Sequence, residues 1–478
     1  MNELKKINLE STSLPAGSDG ILEPTFGLNE VYIDTDAEKR ITSKFDKFMM
    51  PQMALIMIIA YLDRSNIGNA VTFGFKEGIG LVGTEFNNLA TLFYPLYVVC
   101  EIPWVMAVKR YGANSILMVA MIGWSAVSLG TGFVKNYHQA IAMRILLGIF
   151  EAALFPSLTF IVSTAYRREQ QALMIAILYG STAISGAFGG LLAYAIQLMG
   201  SRKGLAPWRW LFIIEGCISV VVGGALWFTL PRHAQKAWFL TSEEKLLLNA
   251  RTQRDAVPNE EQKFEWKYLR MALSDPLLWA ASIGLFCSSI PFFGFGTFLP
   301  TIIQGLGYNS LQANYLSIPV YTFACLTLWL FAWLSDRLKK RALMIMVVTV
   351  PVLIGYAISI ATPNNGAGLF AMFLVAAGRP YTTSLPVYIP THQLTTEQPS
   401  DEHVRSIGIP LVICIANASD LASSQIYPSA DSPRYVVGSS VSLGMEAVAL
   451  VCAGAMASII KRRNARSEIK DGGVEFVL

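Results

Sequence analysis

Charge is what this sequence has least of. Asp, Glu, Lys and Arg make up 15% of its 478 residues, against roughly 25% in an average soluble domain. With 53% hydrophobic residues beside that shortage, the chain reads as a membrane protein. Histidine is scarce as well: the four residues show no ligand spacing, so no metal centre is expected. No glycine-rich phosphate cradle, nucleophile elbow or zinc signature occurs, which argues against an enzyme and against a cofactor. The six cysteines, Cys100, Cys217, Cys287, Cys325, Cys414 and Cys452, fall singly in apolar runs and read as small buried hydrophobes. A formal charge of +4 is too small to suggest a nucleic-acid partner. The first 47 residues lack the apolar core and cleavage site of a secretory signal, so the first span is expected to be its own insertion signal.

What the chain does have is long hydrophobic runs, each near the length of about 20 residues that crosses a hydrocarbon core as a helix. They fall at 48–70, 88–108, 113–133, 138–160, 171–198 and 208–230, and then at 276–301, 312–334, 341–361, 367–389, 407–427 and 435–460. The expected fold is therefore all-α, with twelve transmembrane helices in two six-helix bundles, 48–230 and 276–460. A tail (1–47), a central loop (231–275) and a second tail (461–478) complete the organisation. With the amino terminus inside, seventeen Lys and Arg residues of the short connections and tails fall on the cytoplasmic side and six on the other, which predicts both termini in the cytoplasm. Within the central loop, Thr241 and Glu244 have the spacing of a capping box, and a short helix over 242–254 should follow. Further on, Trp266 and Tyr268 interleave with Lys267 and Arg270 as in a segment lying on the bilayer surface before Pro276 opens the next span.

An ionised side chain at lipid depth is costly, roughly 2.5–3.5 kcal/mol on insertion scales, and points to function. Asp63 and Arg64 sit in the first span, and Arg144 and Glu151 in the fourth. The last two are seven residues apart, hence on one helix face. Two arginines so placed can grip a carboxylate through paired donors, and buried carboxyls beside them can carry protons. The same four groups could instead be interhelical salt bridges that only fix the bundle. Glu101, Glu215 and Glu446 read as packing or gating contacts, and Gly180, Gly186, Gly189 and Gly190 suit close helix approach.

Tyr61-Leu-Asp-Arg-Ser-Asn-Ile-Gly-Asn-Ala70, Arg144-Ile-Leu-Leu-Gly-Ile-Phe-Glu151-Ala-Ala-Leu-Phe-Pro156 and Trp208-Arg-Trp-Leu-Phe-Ile-Ile-Glu215-Gly resemble the major facilitator superfamily. The nearer likeness is to its anion:cation symporters, in particular fungal allantoate-permease and nicotinate/pantothenate-type carriers. That resemblance implies proton roles for Asp63 and Glu151, substrate recognition by Arg64, and an anion-binding or charge-balancing role for Arg144. Ala332-Trp-Leu-Ser-Asp336-Arg337-Leu-Lys-Lys-Arg341 resembles the family's gate motif, implying a conformational latch on Asp336, Arg337 and Arg341. The matching connection of the first half, Lys109-Arg110-Tyr111-Gly112, lacks the Asp. Between 379 and 427 the chain departs from the family, and Arg379 and Asp420 are new opposite charges in neighbouring spans that are expected to pair.

These readings converge on a proton-coupled symporter of a small organic anion, a vitamin-like carboxylate or ureide, acting as a monomer in the plasma membrane. An exporter of a fungal secondary metabolite and a non-transporting nutrient receptor remain the alternatives.

Overall fold

The computed structural model describes residues 35–255, 266–338, 341–378 and 399–468. Among them, ten helices are long and apolar enough to cross a membrane. The first half runs through α1 (Thr35–Phe48), α2 (Met50–Val71), a short α3 (Phe75–Ile79), α4 (Glu85–Thr91) and α5 (Phe93–Tyr111). It continues with α6 (Ala113–Thr131), α7 (Tyr137–Glu151), α8 (Leu154–Ala165), α9 (Arg168–Met199) and α10 (Pro207–Thr229). The central connection carries α11 (Ser242–Asp255) and α12 (Trp266–Leu273). The second half holds α13 (Pro276–Gly305), α14 (Ser310–Leu338) and α15 (Arg341–Ala361), then α16 (Asn365–Gly378), α17 (Pro399–Ser423) and α18 (Val436–Glu468). The shorter α16 and the helix α17 occupy the places in chain order of the expected tenth and eleventh spans.

Three spans of the first half are broken, each just ahead of a proline. The breaks fall at Met49, at Leu92 and at Ala152-Ala153, before Pro51, Pro95 and Pro156. A proline offers no N–H to the carbonyl four residues back and its ring crowds that carbonyl, so the helix yields there. Pro291 and Pro300, by contrast, are accommodated inside an unbroken α13.

The capping box is present as expected. The Thr241 amide donates to Glu244 Oε2 at 2.8 Å, and the Glu244 amide to Thr241 Oγ1 at 3.4 Å, at the start of α11. Lys44 of α1 ties this helix down through Glu244 at 2.7 Å. Burial alone would raise the pKa of Glu244, but the Lys44 ammonium and the Thr241 amide outweigh it and hold this carboxyl below the usual glutamate range. Asp275 caps α13 by accepting from the Leu277 amide at 2.8 Å, with Pro276 at the first helical position.

The two halves close against each other at the end away from this connection. Asn87 donates to the carbonyls of Ser424 (2.6 Å) and Tyr427 (3.0 Å), and Gln425 to Thr91 Oγ1 (2.8 Å). Asn314 donates to Thr72 Oγ1 (2.9 Å) and Gln197 Oε1 (3.1 Å). There α2 and α13 approach so closely that a Cβ on Gly68 would stand 1.9 Å from the Thr297 carbonyl oxygen. Among the fifth-span glycines, Gly190 plays the same part against Ser317 of α14.

Outward helix faces carry large apolar side chains such as Ile102, Val221, Phe228, Trp329 and Val451, all strongly exposed. Such a belt suits hydrocarbon and would be unstable in water. The six cysteines are free thiols. Burial holds for Cys287 and Cys325, while Cys217 and Cys414 lie exposed, where in a bilayer lipid takes the place of protein.

Candidate functional site

Asp63 and Arg64 are consecutive, so their side chains leave α2 about 100° apart and meet different neighbours. Arg64 turns toward α5 and α7. Its Nε donates to Glu151 Oε2 at 2.5 Å, and its guanidinium carbon lies 4.9, 5.0 and 4.7 Å from the rings of Tyr61, Phe93 and Tyr97. Rings at such distances stabilise a cation through their faces, leaving its in-plane N–H groups for acceptors. Arg64 Nη2 and Glu151 Oε1 are both buried without a hydrogen-bond partner. The contact depends on Gly148, where a Cβ would stand 2.3 Å from the Phe93 carbonyl oxygen. That approach of α7 to α5 delivers Glu151, one turn later and just before the break at Ala152, to the ring-lined guanidinium.

Asp63 turns toward α6, where Ser128 Oγ donates to its Oδ1. Asn66, one turn along α2, donates to Glu215 Oε2 of α10 and accepts from Asn69 at 3.1 Å. Asp63 Oδ2 and Glu215 Oε1 have no hydrogen-bond partner. Arg144 is buried, and the charges of Glu151, Asp63 and Glu215 all act on it. The first half thus encloses three carboxyls and two guanidiniums contributed by α2, α7 and α10.

Beside this cluster lies a cavity of about 80 Å³ between the halves. Tyr61, Arg64 and Tyr94 line it from the first half, and Phe292, Phe293 and Tyr321 from the second. Arg64 is the charged residue on its described wall. An arginine that still offers N–H donors at the edge of a small, ring-lined space can bind a carboxylate or another planar anion. Among the described residues, no group of three or more His, Cys, Asp or Glu could hold a metal ion.

The structure therefore gathers Asp63, Arg64, Arg144 and Glu151, with Arg64 on the cavity wall and Arg144 set back among carboxyls. Asp336 lies in the last turn of α14, Arg341 opens α15, and the Arg337 guanidinium lies 5.3 Å from the Trp333 ring. Arg379 lies outside the described residues, so its expected pairing with Asp420 does too. Asp420 is 3% exposed in α17, and among the described residues its ionic neighbour is Arg64.

Two features of the site went unread in the sequence. Glu215, read there as a packing or gating contact, is fully buried within the cluster. It lies eight residues inside α10 (215 − 207), and Asp63 eight residues from the same end of α2 (71 − 63), so depth alone could have matched them. The aromatic cage had a signal as well. Tyr61 stands three residues before Arg64, and Phe93 four before Tyr97, spacings that place each pair on one helix face.

Comparison with known proteins agrees with this architecture. The family model described as Major Facilitator Superfamily matches residues 53–409. The chain belongs to the major facilitator superfamily. As a member of it the protein is a membrane transporter and not an enzyme. An uncharacterized transporter of Schizosaccharomyces pombe is 35% identical over 445 residues, 93% of this chain and 86% of that one. The high-affinity nicotinic acid transporter of Saccharomyces cerevisiae is 31% identical over 429 residues, 89% of this chain and 79% of that one. Among solved structures, a bacterial homologue of the human lysosomal transporter Spinster, in an inward-facing form, superposes with a TM-score of 0.63 at 15% identity. That match covers 88% of this chain and 97% of the other. A D-xylose–proton symporter superposes with a TM-score of 0.62 at 12% identity, over 86% and 97% of the two chains. These two likenesses concern the fold.

Proposed function

We propose that this transporter is a symporter that carries a small organic anion, a vitamin-like carboxylate or ureide, together with protons by alternating access. The observation that carries this reading is the state of Arg64: its Nε is held by Glu151, its Nη2 has no partner, and it borders the cavity between the halves. An incoming carboxylate takes the open edge of the guanidinium and draws it from Glu151. A buried glutamate that loses its cation gains affinity for a proton. Anion binding and proton uptake thereby favour each other, which is the requirement for symport. Asp63, beside Glu215 and within the field of Arg144, supplies the second proton-binding position. Similarity to a nicotinic acid transporter supports a compact ring carboxylate as substrate.

In this reading both termini face the cytoplasm, the membrane is the plasma membrane and the protein works as a monomer. The halves, 48–230 and 276–460, rock about the cavity, so the closed end is the outer gate. Asp336, Arg337 and Arg341 latch the opposite, inner end when it shuts. One charge moved through 100 mV yields about 2.3 kcal/mol, enough to concentrate substrate some fifty-fold.

The test is uptake of labelled nicotinate and related carboxylates into energised vesicles, repeated with an uncoupler and with Glu151→Gln. Symport predicts that both changes abolish accumulation while the variant retains exchange. Loading of inverted vesicles alone would mark an exporter, and saturable binding without flux a receptor.

A further inference from the structure

Behind the cavity wall, the second half holds a buried carboxyl, Asp420, that the cluster above does not contain. Helix α17 runs antiparallel to α4 and α5, and its register is fixed at the closed end, where Asn87 bonds Ser424 and Tyr427, and Thr91 bonds Gln425. Continuing that register inward by one turn sets Tyr94, which lines the cavity, level with Asp420. Electrostatics agree with this placement, for the charge of Asp420 acts on Tyr94 and Tyr61, and that of Arg64 acts on Asp420. Asp420 is 3% exposed, and its Oδ1 is buried without a hydrogen-bond partner.

Charge arithmetic gives the consequence. Among the described residues near Arg64, Asp63, Glu151, Glu215 and Asp420 are four buried carboxyls, set against the guanidiniums of Arg144, buried, and Arg64, 12% exposed, so two of these carboxyls lack a described cation. Burying uncompensated charge is the costliest arrangement available to a protein, and carboxyls escape it by holding protons. An anion arriving at Arg64 adds a further negative charge to a region already in deficit. Among the described residues, no cation other than Arg64 faces Asp420: Tyr61 on α2 and Tyr94 on α5 are phenols, Glu151 is bound to Arg64, and α13, which packs along α17, carries no charged residue. On α4, Glu85 lies a helix length away, and Lys267, Tyr268 and Arg270 of α12 pack at the opposite end of α17.

We propose that Asp420 is a proton-carrying group of the second half that competes with the substrate anion for Arg64, so that the anion binds only when Asp420 is protonated. This rests on the symport reading above and adds to it. The competing group stands on the half that moves relative to Arg64. Protonation of Asp420 therefore frees the guanidinium for cargo, and when the empty carrier gives up that proton, the carboxylate draws the halves together across the vacated cavity. The proton is carried in addition to any on Asp63 or Glu151.

The experiment uses the full chain in lipid nanodiscs, with labelled nicotinate as probe. In the wild type, affinity should fall by up to about tenfold per pH unit as pH rises through the titration of Asp420. Asp420→Asn should keep its acid-pH affinity at alkaline pH and retain exchange, while accumulation driven by a proton gradient drops. Asp420→Glu should restore the slope. An equal slope in the wild type and Asp420→Asn would overturn the proposal. Infrared spectra read the same question without substrate: the C=O stretch of a protonated carboxyl at neutral pH should disappear in Asp420→Asn and be displaced in Asp420→Glu. Unchanged spectra would mean that Asp420 is ionised and permanently paired with Arg64, which sinks the idea. If the wild type binds neither nicotinate nor any other carboxylate while the band behaves as stated, the symport reading fails and the protonation of Asp420 stands.

Discussion

The two halves that face each other across the cavity are built on opposite principles. The first puts Asp63, Arg64, Arg144, Glu151 and Glu215 on three helices within a few turns of one another. The second presents Phe292, Phe293 and Tyr321 from two long helices, and α13 runs from Pro276 to Gly305 without a charge. Their equal span number thus goes with unequal chemistry. In the proposed mechanism one half discriminates by charge and moves protons, while the other shapes the space and adds the carboxyl of Asp420 opposite Arg64. A pair of similar bundles can divide labour in this way because coupling requires charge and proton sites to share a desolvated region, whereas size selection requires only a wall.

The division is most easily broken at Arg64. Arg64→Ala removes the anion's donor and leaves Glu151 buried without its partner, so uptake should fall by more than about a hundredfold, a loss of over about 2.7 kcal/mol in binding and assembly together. Arg64→Lys keeps the charge but not the fork, and initial-rate uptake should recover only in part. The next largest effect is expected where the halves touch. Gly68→Ala pushes a methyl into the Thr297 carbonyl. At a cost of about 1–3 kcal/mol, this should drive the closed end open, which labelling of a cysteine placed at Gln425 would report as faster reaction.

A change on the apolar wall should act differently in kind. Phe292→Ala enlarges the cavity and should shift preference toward bulkier ring carboxylates by about tenfold, with the pH profile unmoved. A changed pH profile would erase the proposed division between halves. The smallest effect belongs to the ion pair of Lys44 and Glu244, whose side chains are 33% and 18% exposed. Glu244→Gln should cost about 0–1 kcal/mol in thermal unfolding. Because the folded carboxyl titrates below its unfolded value, this contribution is present above the ordinary glutamate range and fades as pH falls through the lower, folded value. Wild type and variant should therefore converge in acid.

Much of this was legible in the residues. Long apolar runs gave the spans and the two-bundle fold, and the cost of ions at lipid depth singled out four of the five charged groups in the first-half cluster. Thr241 and Glu244 formed their capping box because that motif is local. Other features depend on tertiary contact and leave fainter marks. Glu215 looked like a span-end residue until packing set it beside Asn66, and Phe93 and Tyr97 looked like ordinary core until Arg64 lay between them. Asp420 was noticed for its charge and expected to pair with Arg379 of the neighbouring span, which lies outside the described residues. Among the described residues its ionic neighbour is Arg64 of the opposite half, a relation that antiparallel register supplies and span order cannot.

The three rings around Arg64 have one more consequence. Aromatic faces solvate a guanidinium without consuming its donors, so this cation is kept comfortable in an oily interior while its edge stays free to swap one oxyanion for another. Such a swivel needs no water and no large rearrangement of the helix that bears it. In the proposed cycle the residue would serve as a turnstile whose bearing is made of ring electrons.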